Sequence, residues 1–233
     1  MMQLNHYHQP LGEALPDWQS RPSPQRVTLE GEYCHLEPLT PHHAPALFQA
    51  HQLAGDGRSW TWLLREPEKD EAEFTAWVTR VSTLQDPLHF AVIDKRSGAP
   101  VGSLSLMRID EKNGVIEVGS VHFSPLLART PASTEAQWLL MRYAFDTLGY
   151  RRYEWKCNSL NEPSRQAALR LGFHYEGRFR QALVSKGYNR DTDWFSIIDK
   201  EWPEVDRALR RWLAADNFTA DGKQRHALVS LRT

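Results

Sequence analysis

The sequence predicts an α+β fold, with helices packed on a single mixed but mostly antiparallel sheet. Three observations carry that expectation. Runs rich in β-branched and aromatic residues recur between turn signals, as in LHFAVID at 88–94 and APVGSLSLMRID at 99–110, joined around Ser97-Gly98. Segments with apolar residues at helical spacing lie between some of these runs, among them 67–84 with Phe74, Trp77, Val78 and Val81. Residues 114–173 then read as strand, helix, strand, helix.

In chain order, residues 1–26 hold Pro10, Pro16, Pro22 and Pro24 and little periodicity, which predicts an extended N-terminal arm pinned to the body through Leu15 and Trp18. A single domain is expected over 27–216, followed by a mobile tail at 217–233. Residues 27–39 read as one or two strands around Gly31, and 40–54 as a helix introduced by Thr40 and Pro41. An aromatic loop, GDGRSWTWLL, leads to the helix over 67–84 and the two strands already named. NGVIEVGSVHFSP is a strand that Pro125 stops. The next helix starts at Thr130-Pro131, because a hydroxyl caps orphan amides and proline loses nothing at the first helical position. Two apolar stripes, one with Ala136 and Leu140 and the other with Trp138 and Met141, predict that this helix is buried as far as Gly149. RRYEWKCN is a strand, and a helix follows from Asn161 to Gly172. HYEGRFRQALVSKGY and DTDWFSIID form a hairpin turning near Gly187, and EWPEVDRALRRWLAA closes as a helix.

Composition excludes several classes of function. With 28 basic and 29 acidic residues the net charge is -1, so no general field for nucleic acid exists. There is no run of about 18 apolar residues to span a membrane. Cys34 and Cys157 make neither a disulfide framework nor a paired metal motif, and Cys157 reads as a buried strand residue. His6, His8, His42, His43 and His51 lack companion ligands at useful spacing, so no metal is expected. The start MMQLNHYHQPLG lacks a secretory pattern, and a reducing, cytoplasmic setting is the expectation. A homodimer through a strand edge or the arm is compatible with the sequence, although nothing demands one.

The chemistry should lie at the two strand-to-helix turns. A helix N-terminus directly after a strand offers free N–H groups and a positive dipole end, which suits the pyrophosphate of a nucleotide-like cofactor. At the first turn, Pro131 supplies no amide, which leaves those of Thr130, Ala132, Ser133 and Thr134 with the Arg129 charge. At the second, Asn161 and Ser164 share the first turn of one helix.

VIEVGSVHFSP, ARTPASTEA and NEPSRQAALRLGF, followed by Glu176-Gly177, together resemble the GCN5-related N-acetyltransferases. Within that family the likeness is to the branch that includes ribosomal-protein-alanine N-acetyltransferases, and it runs across most of the chain. HQPLGEALPDW is similar to a leader of one subgroup. The resemblance implies a sheet whose strands splay at the cofactor site, acetyl-CoA as co-substrate, and direct acetyl transfer to an amine without a covalent enzyme intermediate. The family's pyrophosphate loop is a basic or Gln residue followed by spaced glycines. Two registers stand open: one keeps Thr134-Glu135-Ala136 in place and starts at Ala128, the other starts at Arg129 and ends at Thr134.

The resemblance further implies that Asn161 bonds the pantetheine region and that Ser164 lies near the sulfur, where a hydroxyl stabilises a leaving thiolate. A backbone N–H near His122 or Phe123 would polarise the acetyl carbonyl. The amine must lose a proton, and Glu117, in the strand leading to the loop, is the candidate base, with His122 second. Strict alternation puts Glu117 with Gly119, Val121 and Phe123, and His122 on the opposite face. Trp60 and Trp62 are placed by the resemblance in the roof of an acceptor site, where they either wall the acceptor or simply pack the helix pair. The expected acceptor is a small-molecule amine or a protein N-terminus. The alternative is a noncatalytic sensor of CoA or a nucleotide.

Overall fold

The structure is a computed structural model and describes residues 3–232. A small hairpin, β1 (Gln3–Leu4) and β2 (Pro10–Leu11), precedes an eight-stranded sheet. Its strands are β3 (Leu29–Glu30), β4 (Cys34–Pro38), β5 (Leu88–Asp94), β6 (Pro100–Asp110), β7 (Val115–Phe123), β8 (Arg152–Asn158), β9 (His174–Ser185) and β10 (Tyr188–Ile198). They lie in the order β3-β4-β5-β6-β7-β8-β10-β9, and only the β7–β8 pair is parallel. The mixed, mostly antiparallel sheet is thus the one expected. Among the described residues there are five α-helices: α1 (Ala44–Gln52), α2 (Glu71–Val81), α3 (Pro131–Arg142), α4 (Glu162–Leu171) and α5 (Trp202–Leu213).

Period-two alternation divides the sheet's faces. Leu36, Phe90, Leu104 and Ile116 point to the side covered by α3, α4 and α5, where Tyr153, Phe195 and Leu209 complete the main core. Ala91 and Ile93 point the other way, to a smaller core with Leu47 of α1 and Phe74 and Val78 of α2. That second layer covers only part of its face, and the site lies where it ends. Among the described residues no helix is long and apolar enough to cross a membrane.

Helix α3 is buried almost throughout, as its double stripe predicts. Its last turn widens into a π-helical turn over Tyr143–Thr147 before Gly149, at φ 71, ends it. Glu135 is 2% exposed and accepts the backbone N–H groups of Glu32 (2.7 Å), Tyr33 (2.7 Å) and Cys34 (2.8 Å). This carboxylate ties the β3–β4 turn to α3. Gly31 has to be glycine there, because a Cβ would stand 2.4 Å from the Glu135 carboxyl carbon and 2.8 Å from the Cys34 carbonyl oxygen.

The arm is pinned by Trp18, whose indole donates to the Lys112 carbonyl at 2.9 Å and carries the Arg21 guanidinium 4.3 Å from its ring centroid. Leu15 remains 45% exposed and does not share that work. Side chains of the segment after residue 216 pack against α5 and the main core over its described part. Phe218 meets Trp212 edge-on at 5.1 Å, the Asn217 amide donates to the Trp212 carbonyl at 2.9 Å, and Leu228 is 2% exposed. Apolar side chains spaced along an irregular segment gave no periodic signal, yet they bury as well as those of a helix.

Glu135→Ala strands three amides on the β3–β4 turn and should lower stability by on the order of 3 kcal/mol in urea unfolding. A loss below about 1 kcal/mol would show that the clasp is incidental.

Candidate active site

The parallel pairing of β7 with β8 runs only from Val115–Val118 against Arg152–Trp155. Past Val118 the strands part, and the edge of β7 over Gly119–Phe123 has no strand on that side. Its backbone groups there have no strand partner on that side. On the other edge, the register passes from Ser105↔Gly119 to Ser103↔His122, so β7 carries one extra residue, with Ser120 at φ 49. This is a β-bulge, and it inverts the alternation that follows. His122 therefore lies on the same face as Glu117 rather than on the opposite one, and Phe123 turns to the α3 side, against the place where Gly102 lacks a Cβ. The sequence pattern misplaced both residues because a bulge leaves no mark in a strand's composition.

Where the strands part lies a cleft of about 500 Å³. Glu117, His122, Asn161, Ser164 and Trp62 all line it, and so do Arg65, Lys156, Cys157, Arg190 and Thr192. Trp60 is instead a packing residue, 8% exposed, with its ring 4.3 Å from His122 and 6.3 Å from His51. The Lys186 ammonium, at the tip of the β9–β10 hairpin, donates to the Trp60 carbonyl at 2.8 Å and pairs with Glu66 at 3.0 Å. Hairpin and aromatic loop thus close over the cleft together.

Glu117 is 6% exposed. Its carboxylate accepts from Lys156 Nζ at 2.7 Å and pairs with Arg108 Nε at 3.2 Å. Lys156 also reaches Glu154 at 2.7 Å and stands 3.6 Å over the Trp194 ring. Burial pushes the Glu117 carboxyl above the ordinary carboxylate range, against the pull of Lys156 and Arg108. Such a group holds a proton more readily than a surface glutamate while keeping two cations beside its ionised form.

His122 belongs to a buried imidazole cluster. Its ring centroid lies 3.8 Å from that of His51, its Nε2 is 3.5 Å from Ser59 Oγ, and its Nδ1 has no hydrogen-bond partner. Burial, with His51 and Arg65 nearby, pulls its pKa down to about 2. Burial likewise takes His51 and His89 down to about 4. All three are neutral at pH 7. Arg65 spreads its guanidinium over Trp77 (3.8 Å) and Trp60 (4.5 Å) and pairs with Glu68.

At the other end of the cleft, Asn161 caps α4 by accepting the Ser164 amide at 3.1 Å. Ser164 Oγ accepts from the Trp155 indole at 3.0 Å, which leaves the hydroxyl proton free to be donated. Cys157 Sγ is within that hydroxyl's reach, and burial pushes the thiol up, so it is inert as a nucleophile.

The remaining sequence candidates form the start of α3. Arg129 is exposed at φ 64, in the left-handed region where glycine is commoner. The Thr130 amide donates to the Leu127 carbonyl at 3.2 Å, and the Ser133 amide to Thr130 at 3.2–3.3 Å, so part of the turn is bonded to itself. Thr134 is buried and accepts from Arg170, and Ala132 is 6% exposed. Among the described residues no three His, Cys, Asp or Glu side chains gather as metal ligands.

Sequence reasoning missed Lys156, Arg65 and Arg190. Lys156 was findable, since β8 alternates Glu154 and Lys156 against the buried Tyr153, Trp155 and Cys157. Arg65 lies in a loop, where no periodicity signals direction, and Arg190 sits near the start of β10, beside an irregularity in its pairing with β9.

A sheet that opens between two parallel strands beside a capped helix, with a buried carboxylate in the opening, defines an α+β class with a cleft set into its own sheet. The family profile described as an acetyltransferase (GNAT) domain matches residues 34–174, and the chain belongs to that family. It is 51% identical to a GCN5-related N-acetyltransferase from Brucella melitensis, with a TM-score of 0.92 over 94% of this chain and 99% of that one. A probable GNAT-family acetyltransferase from Chromobacterium violaceum is 40% identical, with a TM-score of 0.77 over 84% of this chain and 98% of that one. The putative ribosomal N-acetyltransferase YdaF of Bacillus subtilis is 30% identical over 45% of this chain and 57% of its own length. The chain spans less than two thirds of the length of the curated relatives it matches, 63% and 57% in two cases.

The depressed imidazoles make stability depend on pH. An unfolded chain takes up protons near pH 6.5, whereas folded His51 and His89 do so only near 4 and His122 near 2. Their contribution is therefore complete above about pH 6.5 and is lost as pH falls toward 4 and below. Urea unfolding of His89→Gln should show a slope between pH 6.5 and 4 that is shallower than wild type by about 1.4 kcal/mol per pH unit. Identical slopes would place a charged or solvated imidazole at this position.

Proposed function

We propose that the protein is an N-acetyltransferase that moves an acetyl group from acetyl-CoA directly to the primary amine of a small molecule or a protein N-terminus. The observation that carries this reading is the pairing, in one cleft, of the buried Glu117 carboxylate with the Ser164 hydroxyl at the α4 end. The chain fits the cofactor. The open edge of β7 over 119–123 offers N–H groups to an extended amide-bearing ligand and to a carbonyl oxygen, and Asn161 retains its side-chain N–H₂ while its oxygen caps α4. The Arg129 charge and the N-terminal dipole of α3 would hold a pyrophosphate.

Acetyl-CoA, when bound, supplies a thioester acyl group. Glu117 accepts the proton of the incoming ammonium, directly or through one water, while Lys156 and Arg108 keep the carboxylate ionised until it does. Ser164, its oxygen already engaged by Trp155, directs its proton toward the sulfur end of the cleft. The neutral His122 cluster and Trp62 wall the acceptor side and exclude water from it.

Calorimetric titration with acetyl-CoA, followed by thiol release over an amine panel, tests the reading; absence of binding at millimolar ligand would sink it. Glu117→Gln should cut the rate at neutral pH by about 10²-fold or more, with partial recovery as pH rises and the amine deprotonates unaided. A pH profile identical to wild type would remove Glu117 from the mechanism. Ser164→Ala should lower turnover by about tenfold with little change in acetyl-CoA affinity, whereas an unchanged rate would leave the hydroxyl a packing group.

A further inference from the structure

Four cations line the cleft, and three of them are engaged. Arg65 pairs with Glu68, and Arg108 and Lys156 with Glu117. Arg190 is the exception: among the described residues its guanidinium has neither an ion pair nor a hydrogen bond, and its Nε is buried without a partner. Two positions along β10, on the same side of the strand, Thr192 also faces the cleft. Thr192 is 6% exposed, and its Oγ1 is a second buried polar atom without a partner. On the same hairpin and its neighbours, Arg178 and Arg165 are matched with Asp193 and Arg152 with Glu176.

A guanidinium half withdrawn from water without a counter-ion carries a desolvation cost, and the unbonded, buried Thr192 hydroxyl adds to it. The two groups are neighbours, so one ligand can satisfy both. Burial pulls the Arg190 pKa down, and the Glu117 carboxylate, already held by Lys156 and Arg108, acts on it only through space. The hairpin that carries Arg190 is fastened by Lys186 to the aromatic loop, so the strand from which the guanidinium projects is held in place.

We propose that the acceptor amine carries a carboxylate, and that Arg190 and Thr192 bind that carboxylate while the amine faces Glu117. This rests on the acetyltransferase reading. A planar fork beside a hydroxyl matches the two oxygens of a carboxylate, and one unpaired cation balances a monoanion, whereas a phosphate dianion would bring a charge the cleft does not answer.

The test uses glycine, β-alanine, γ-aminobutyrate and ε-aminocaproate, each compared with its amide, on the full chain with acetyl-CoA. At least one acid should exceed its amide in kcat/KM by at least about tenfold, with the difference in KM, and Arg190→Gln should abolish that preference. Thr192→Val should reduce the preference in part. In parallel, glutarate titrated into the protein, with and without CoA, should raise the melting temperature of wild type but not of Arg190→Gln. Acids and amides used alike, with no glutarate shift, overturn the inference and leave the acetyltransferase reading intact. Loss of acetyl-CoA affinity in Arg190→Gln also overturns it, by assigning the guanidinium to the cofactor. If acetyl-CoA itself fails to bind wild type, the acetyltransferase reading falls, and the inferred acceptor falls with it, whatever glutarate does.

Discussion

The parallel contact between β7 and β8 lasts four residues on each strand, and almost everything about the site follows from where it stops. Were it to continue, the backbone edge of Gly119–Phe123 would be spent on β8 and no ligand could enter the sheet. The bulge at Ser120 bends β7 at the level where the pairing ends, and a bulged strand twists away from its neighbour more sharply than a regular one. Opening the sheet costs backbone hydrogen bonds on both strands. The groove is stable only because other interactions hold its two banks.

Side chains supply part of that hold. Across one face runs an alternating chain of charge: Arg108 to Glu117, Glu117 to Lys156, Lys156 to Glu154, Glu154 to Arg152, and Arg152 to Glu176, which also accepts from Ser196. It crosses from β6 to the far edge of the sheet, and its Glu117–Lys156 link spans the two strands just where their backbones separate. Buried ion pairs add little net stability against apolar replacements, because desolvation offsets the attraction. Their effect here is geometric. A carboxylate gripped from two sides keeps its place just before its strand loses its neighbour, and apolar packing could not also keep it ionisable.

Much of the fold was legible. Wherever period and turn chemistry agreed, as in the hairpin of β5 and β6 or the capped start of α4, the elements form close to the predicted residues. The site was legible as a neighbourhood more than as a geometry. Glu117, Ser164 and Asn161 could be placed because they sit in regular elements, and His122 could not because the bulge before it depends on a left-handed Ser120 that the sequence does not announce. Trp60 and Trp62 are nearly adjacent and chemically identical, yet one packs on histidines and the other faces the cleft. Loop conformation decides that, and a loop has no period. The packed C-terminal segment was unreadable for the same reason.

The Glu135 clasp bears on how such a chain can vary. Glycines in a phosphate-binding turn let backbone approach a ligand, but a helix start can also be located from outside the turn, by a carboxylate that reaches across to the β3–β4 turn. With α3 held in this way as well as by its Thr130 cap, the position of the helix does not rest on the turn alone. In this chain Gly31 and Glu135, distant in sequence, form a pair in which a larger residue at 31 would displace the carboxylate that the turn amides hold.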